Sequence, residues 1–394
     1  MAPSPLLPID AAQARLLALA PAIPAETLPL AAAAGRYLRA PATARRTQPA
    51  ADLSAMDGYA IRFADLPGPW QVIGESAAGR DFAGTVAPGE AVRIFTGAAM
   101  PGGADTVLVQ EEARRDGATL HLAGEGPTRR ARNVRARGLD FHEGDSLGET
   151  GAALTPARLA LLATGGVGEV SVSRRVRVAL AATGDELIEP GSAGAGLPES
   201  NRLMLRAMLA DLPIEIVDLG ILPDRLDVLT RAFADVAADL LVTTGGASVG
   251  DHDLVRPALE AAGAVIDFWR IALRPGKPMM AGRRGDCAVV GLPGNPVSAF
   301  VTGLLFVRPL AARIAGARDP LPRATLATLG EALPANGERT DYIRAEQRDG
   351  RVYAAAIQDS SMLATLARAT CLIVRAPHAP AAAAGDMAEI LVIA

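Results

Sequence analysis

From residue 175 onward, short apolar runs alternate with apolar positions at helical spacing. Residues 176–182, 214–219, 240–243, 265–269 and 287–290 read as strands buried on both faces. Between them, residues 201–210 read as a helix, and Leu226, Leu229, Phe233 and Val236 mark another. A third, capped by Asp251 or Asp253, carries Leu254, Val255 and Leu259 and stops at Gly263. A fourth starts at Asn295-Pro296, with Asn295 as cap, and runs to about residue 315. This alternation predicts a doubly wound parallel sheet, whose ligands sit outside the carboxyl ends of the strands.

The flanks follow other patterns. Residues 10–20 predict a helix with an Asp10/Gln13 capping pattern, stopped by Pro21. Residues 25–40 read as a second helix. Asp57-Gly58 signals a turn between extended segments. Residues 70–73, 91–95, 105–110 and 118–122 read as short strands of a small β domain. Thr155-Pro156 starts a helix that Gly165-Gly166 end, and residues 170–172 read as a strand. Near the C-terminus, Asp349-Gly350 predicts a hairpin between strands 342–346 and 351–355. With strands at 371–374 and 389–393, it makes a second small β domain. The expected class is α/β multidomain, a doubly wound domain flanked by β-rich ones.

Composition narrows this further. The chain has 394 residues, 50% hydrophobic and 21% charged, which suits about two to four globular domains with large cores. Its net charge of −4 argues against a dedicated nucleic-acid binder. Cys287 and Cys371 form no Cys-x-x-Cys pair, so neither a zinc site nor a disulfide framework is signalled. No apolar run approaches the ~18 residues of a membrane span. No signal peptide is visible, and the expected location is cytoplasmic. Only one of the 39 basic residues is a lysine, Lys277 in Arg274-Pro275-Gly276-Lys277-Pro278. Ammonium and guanidinium are not interchangeable, so Lys277 is the first basic residue to test.

The candidate chemistry lies at the strand ends. Residues 183–186, 243–253 and 291–295 hold Thr183-Gly184-Asp185-Glu186, Thr244-Gly245-Gly246 with Ser248, Gly250 and Asp253, and Gly291-Leu292-Pro293-Gly294-Asn295. A glycine loop entering a helix suits an anion, usually phosphate, although one such loop alone is also an ordinary strand-to-helix turn. Arg129, Arg130, Arg132, Arg135 and Arg137 read either as a solvated face or as a phosphate clamp. There is no P-loop and no Gly-x-Gly-x-x-Gly fingerprint, so a standard NTPase or dehydrogenase is disfavoured. Carboxylates, glycine loops and a lysine suit phosphoanhydride chemistry assisted by Mg²⁺.

Seven motifs occur in order: Ser54-Ala55-Met56-Asp57-Gly58-Tyr59-Ala60, the 96–105 loop with Gln110-Glu111, Asn133-Val134-Arg135-x-x-Gly138-x-Asp140, Thr183-Gly184-Asp185-Glu186-Leu187, Thr244-Gly245-Gly246-x-Ser248-Val249-Gly250-x-x-Asp253, Pro275-Gly276-Lys277-Pro278 and Leu292-Pro293-Gly294-Asn295-Pro296-Val297-Ser298. Together they resemble the molybdopterin molybdenumtransferase (MoeA) family, which includes the gephyrin E domain, over essentially the whole chain.

The resemblance implies a molybdenum insertase. Adenylylated molybdopterin and molybdate would give molybdenum cofactor and AMP in a Mg²⁺-dependent step. It implies a homodimer with a site built from both subunits, and molybdopterin adenylyltransferase as upstream donor. Asp57, Asp140, Glu186 and Asp253 match functional acidic positions, with Glu186 and Asp253 as metal ligands. Lys277 matches the motif lysine and Thr96 the loop threonine. Asp185, Gly245, Gly246, Ser248, Gly250, Pro293, Gly294 and Asn295 fall in substrate-binding motifs. Arg274 stands where lysine is common, and Arg344 and Ser360 resemble positions that hold molybdate. Residues 197–202 depart from Ile-Tyr-Asp-Ser-Asn-Arg but keep Ser200, Asn201 and Arg202. The implied domains are 24–45 with 143–173 (linking), 46–142 (inserted, β-rich), 1–23 with 174–318 (molybdopterin-binding) and 319–394 (β-barrel). The other readings are molybdopterin adenylyltransferase and a non-catalytic scaffold or carrier.

Overall fold

Six strands build the largest sheet: β1 (Val176–Thr183), β2 (Ile214–Leu222), β3 (Leu240–Thr244), β4 (Val265–Arg270), β5 (Pro278–Arg284) and β6 (Cys287–Leu292). In this computed structural model, which describes residues 6–246 and 254–393, they belong to a unit of residues 1–40, 150–155 and 171–394. The strand order is β2-β1-β3-β6-β5-β4. The first four are parallel, as expected; β5 runs antiparallel to both β6 and β4, so the sheet is mixed. The cause is Gly285-Asp286, a two-residue connection with Gly285 at φ +57° that folds β5 back onto β6. Gly282 lets β5 pass close to β4, since a Cβ there would lie 2.0 Å from the Val265 carbonyl oxygen.

Alternation along the strands sorts side chains into two cores. Val176, Val178, Leu180, Leu240, Val242, Ala288 and Val290 face one cluster; Ala179, Ala181, Leu241 and Val289 face the other. The first face is covered by α1 (Ile9–Leu17), α2 (Asn201–Met208) and the helical run from Pro296 to Ile314. The second is covered by α3 (Leu226–Asp235), through Leu229 and Phe233, and by α4 (Val255–Ala261). The run from Pro296 contains a π-type turn, Gly303–Val307, between two α segments. It has the length and apolarity of a membrane span, contrary to the sequence expectation, but 78% of it is buried in the unit. A two-sided sheet needs an apolar helix of this kind as its cover.

In the same unit, strands Thr325–Leu329, Thr340–Arg348, Arg351–Ala354, Cys371–Arg375 and Met387–Val392 close into a ring, because Thr340–Arg348 pairs with both Arg351–Ala354 and Cys371–Arg375. The expected hairpin at Asp349-Gly350 is present, with both residues at positive φ.

The other unit holds residues 41–149 and 156–170. Its six-stranded sheet spans Gly58–Ile61 to Thr119–Leu122, and its strands Gly58–Ile61, Glu90–Ile94 and Thr106–Val109 are buried on both faces. Tyr59, Ile61, Leu108 and Leu120 face one core, and Ala60, Val92, Ile94 and Val107 the other.

Three local expectations are corrected and a fourth is refined. Residues 25–40 form a strand, Ala25–Pro29, and a short turn, Leu30–Ala32, because Pro29 cannot donate within a helix. Asp10 does not cap α1; Pro8 holds that position, and the Asp10 carboxylate accepts from Ala11 N–H. Asn295 makes no side-chain capping bond. The turn at Asp57-Gly58 is a bend at 55–57 between Leu53–Ser54 and Gly58–Ile61, which belong to different sheets, and a Cβ on Gly58 would meet the Leu108 carbonyl oxygen at 2.1 Å.

Asp239 ties three central strands together. It accepts from Arg174 Nη1 and Nη2, both at 2.7 Å, and from Arg177 N–H at 2.8 Å. Its carbonyl accepts from Ala288 N–H. Burial opposes ionisation, but Arg174 and the Arg177 amide outweigh it and hold the carboxyl below the ordinary range. Asp239→Ala should therefore lower unfolding free energy by about 2–3 kcal/mol at neutral pH. A depressed carboxyl stabilises fully above its unfolded pKa and loses that contribution as pH falls through the folded value. Urea midpoints of wild type and variant should converge at acid pH.

Candidate functional site

The carboxyl ends of β1, β3 and β6 open onto a cleft of about 530 Å³. It is lined by Thr183 and Glu186 after β1, Thr244 and Gly245 after β3, and Gly294, Asn295 and Pro296 after β6. The wall is completed by Leu197–Pro198, Ser200 and Asn201, and by Ser361 and Leu363 from the C-terminal region. The three loops converge because parallel strands deliver their carboxyl ends to one edge. Gly245 has φ +89°, and a Cβ there would lie 2.6 Å from the Thr183 carbonyl oxygen. Only glycine permits that turn and approach. Gly246, at φ +62°, follows it, while Ser248, Gly250 and Asp253 lie outside the described residues. Pro293 is half-buried just before the cleft. Asp185 sits beside Glu186, and its Oδ1 accepts from Asp224 N–H. Burial raises the Asp224 pKa, and the charges of Asp185 and Glu186 add to it.

Two arginines expected at the substrate are engaged elsewhere. Arg202 is buried and pairs with Glu199, Glu189 and Asp218. Arg344 is buried, and burial lowers its pKa. Its guanidinium holds the 357–362 segment through the Gln358 side chain and the carbonyls of Asp359 and Met362. Ser360 does not line the cleft; its carbonyl accepts from Val297 N–H at the start of the long helix. Its neighbour Ser361 does line it, and donates N–H and O–H to Asp359 Oδ1. Arg274 pairs with the buried Asp341 across adjoining parallel strands. Lys277 is half-buried at the start of β5 and is absent from the cleft lining.

In the other unit, three of the sequence motifs come together. The Ser54 carbonyl accepts from Gly97 N–H, Ala55 N–H donates to the Asn133 carbonyl, and Arg137 N–H donates to Asp52 Oδ1. Asp57 and Thr96 are in direct contact: Asp57 Oδ1 accepts from Thr96 N–H at 2.7 Å and Thr96 Oγ1 at 2.8 Å. These bonds, the backbone one first, lower the Asp57 pKa. Arg93 donates to the Gly58 carbonyl and Gln110 Oε1, between the Tyr59 and Phe95 rings. Asp140 is exposed at the end of the third motif, its N–H on the Gln48 carbonyl. Within the arginine cluster, Arg130 pairs with Asp105 and Arg137 Nε donates to the Ala50 carbonyl.

Among the described residues, no three His, Cys, Asp or Glu side chains gather into a metal site. The cleft does hold a hard-oxygen donor set, with Glu186 among the hydroxyls of Thr183, Ser200 and Thr244. That suits a Mg²⁺ ion that brings its own waters and substrate phosphates, for which one or two protein carboxylates suffice. Both cysteines are buried, and burial pushes Cys287 up to about 11 and also raises Cys371, which disfavours the thiolate.

Thr183 and Thr244 line the cleft as their strand-end positions imply, because a polar residue after an apolar run marks the site edge. Sequence reasoning missed Glu199, Ser361 and Leu363 as lining residues. Nothing local marks Ser361 and Leu363, which reach the cleft by tertiary packing. For the Asp57–Thr96 pair, Thr96→Val removes one of two hydrogen bonds. The Asp57 pKa should rise yet stay below its ordinary value, because the Thr96 N–H remains; a carbon-detected NMR titration of the carboxyl reads this directly.

Three family models match in chain order. Residues 7–166 match the MoeA N-terminal region (domain I and II), residues 179–313 a probable molybdopterin binding domain, and residues 326–393 the MoeA C-terminal region (domain IV). The chain is 36% identical over 406 residues to the molybdopterin molybdenumtransferase of Haemophilus influenzae, covering 98% of each. It is 34% identical over 337 residues to that of Nostoc sp., covering 81% of this chain and 76% of the relative. The crystal structure of the molybdopterin biosynthesis moeA protein from Pyrococcus horikoshii superposes with a TM-score of 0.85 at 26% identity, over 99% of this chain and 100% of that one. The chain therefore belongs to the MoeA family of molybdopterin molybdenumtransferases.

Proposed function

We propose that this protein is a molybdenum insertase: it takes adenylylated molybdopterin and molybdate, and releases molybdenum cofactor and AMP. The observation that carries this reading is the cleft at the ends of β1, β3 and β6, which joins glycine loops, hydroxyls and the carboxylate of Glu186. The Gly245 and Gly294 loops let a phosphate approach the backbone closely. Thr183, Ser200, Thr244 and Asn295 supply polar contacts around it. The start of the long helix is a weaker anion site, because Pro296 has no N–H and Val297 N–H is taken by Ser360.

Glu186 is the proposed group that orients a water toward the phosphoanhydride and accepts its proton. Attack at phosphorus cleaves the anhydride and sends AMP away as leaving group or product. Mg²⁺, held by Glu186 and by Asp253, would neutralise phosphate charge in that step. Lys277 is the cation proposed for molybdate. Arg274 and Arg344 support its surroundings through Asp341 and the 357–362 segment. Asp57 with Thr96, and Asp140, are proposed as functional carboxylates of the other unit. We also propose a homodimer that works in the cytoplasm and receives its substrate from molybdopterin adenylyltransferase.

The test is AMP release from adenylylated molybdopterin with Mg²⁺, with and without molybdate. Molybdate-dependent release with formation of active cofactor is expected. Glu186→Gln should slow it by about 10²-fold or more. Binding without turnover would favour a carrier, and adenylylation of molybdopterin by ATP would favour an adenylyltransferase.

A further inference from the structure

One charged side chain in the cleft wall is almost wholly removed from water. Glu199 is 4% exposed, although it lines the cleft. A buried carboxylate persists only if paired and fully hydrogen-bonded. Glu199 Oε1 accepts from Asn201 N–H at 2.6 Å and Arg202 N–H at 3.1 Å. Its Oε2 accepts from Arg202 Nε at 3.2 Å and, more weakly, from Arg202 N–H at 3.3 Å. Neither oxygen is left to take a ligand.

The effect of Glu199 is transmitted along the wall. Its bonds fix the first turn of α2, including Asn201, which is 7% exposed. Asn201 Nδ2 then donates to the Gly294 carbonyl at 2.8 Å. Gly294 packs against Gly245, close enough that a Cβ on Gly294 would lie 3.6 Å from Gly245 Cα. Gly245 N–H returns to the Leu292 carbonyl. On the far side, the other two guanidinium nitrogens of Arg202 bind Glu189 and Asp218. Three carboxylates thus hold one guanidinium, and a single carboxylate fixes the start of α2, from which Asn201 reaches the Gly294 loop.

We propose that Glu199 is a positioning residue that holds the Asn201–Gly294–Gly245 wall in its ligand-binding geometry, with Arg202 as its buried counter-charge. This rests on the insertase reading for the identity of the ligand, the adenylylated pterin phosphate. Glu199→Gln keeps the size of the side chain but turns an acceptor into an amide that faces N–H donors. The wall shifts, and misplacement of about 1 Å costs up to ~10²-fold in binding or rate.

The experiment measures the Kd of adenylylated molybdopterin by calorimetry, with the thermal midpoint and kcat for AMP release, for wild type, Glu199→Gln, Glu199→Asp and Asn201→Ala. Glu199→Gln should weaken binding by about 10- to 100-fold in protein that melts cooperatively. Glu199→Asp, which keeps the charge, should regain most of the affinity. Asn201→Ala, which leaves the Glu199–Arg202 pair intact but cuts the link to Gly294, should reproduce the loss. Binding by Glu199→Gln within about twofold of wild type would overturn the proposal. So would wild-type affinity in Asn201→Ala, an outcome that stays readable if Glu199→Gln fails to fold. Failure of wild type itself to bind the ligand would count against the insertase reading instead.

Discussion

Covering both faces of the central sheet is the constraint on which the rest depends. Once β1, β3 and β6 are sealed between two apolar layers, no polar side chain along their length can be satisfied cheaply. Polar groups are displaced to the carboxyl ends, where the strands leave the core together. Thr183, Thr244 and the glycine loops mark that exit. The cleft follows from sealing the sheet, and the apolar helix from Pro296 to Ile314 serves the same end.

The cleft walls are stiffened by two buried guanidinium groups. Arg202 is held by three carboxylates, and Arg344 by side-chain and backbone oxygens of residues 357–362. A guanidinium has five donors in a planar fork and can join several chain segments at once. This favours arginine for bracing and leaves the single lysine, Lys277, as the distinct cation. Arg274, paired with Asp341, belongs with the braces.

The second unit arranges its chemistry by the same means on a smaller scale. Its central strands bury both faces, so its polar motifs gather in connecting loops. Asp57 is only half-buried, and the Thr96 amide and hydroxyl favour its ionised form. Gly58 contributes by what it lacks, because the Leu108 carbonyl fills the space of a Cβ. The Asp-Gly pair looks like a turn in sequence and also serves as a close contact between strands.

Sequence by itself determined the features that depend on local pattern. The apolar runs marked the buried strands, glycine and asparagine marked the loops at their ends, and Asp349-Gly350 marked its hairpin. Glu186, Gly245, Gly294 and Asn295 were legible because each lies directly after a recognisable strand. Residues 25–40 depart from a helix at Pro29, which cannot donate within one, and β5 exists because Gly285-Asp286 turns the chain back onto β6. Only the tertiary structure decided how charges are spent. Arg202 and Arg344 are cations by sequence, but apart from Glu199 their partners lie 13 to 18 residues away across a loop or strand, and both side chains are buried. Ser361 and Leu363 reach the cleft by long-range packing of the C-terminal segment. Periodicity reports the environment of a backbone segment, whereas the partner of a charge is set by which distant segments the fold brings within hydrogen-bonding distance.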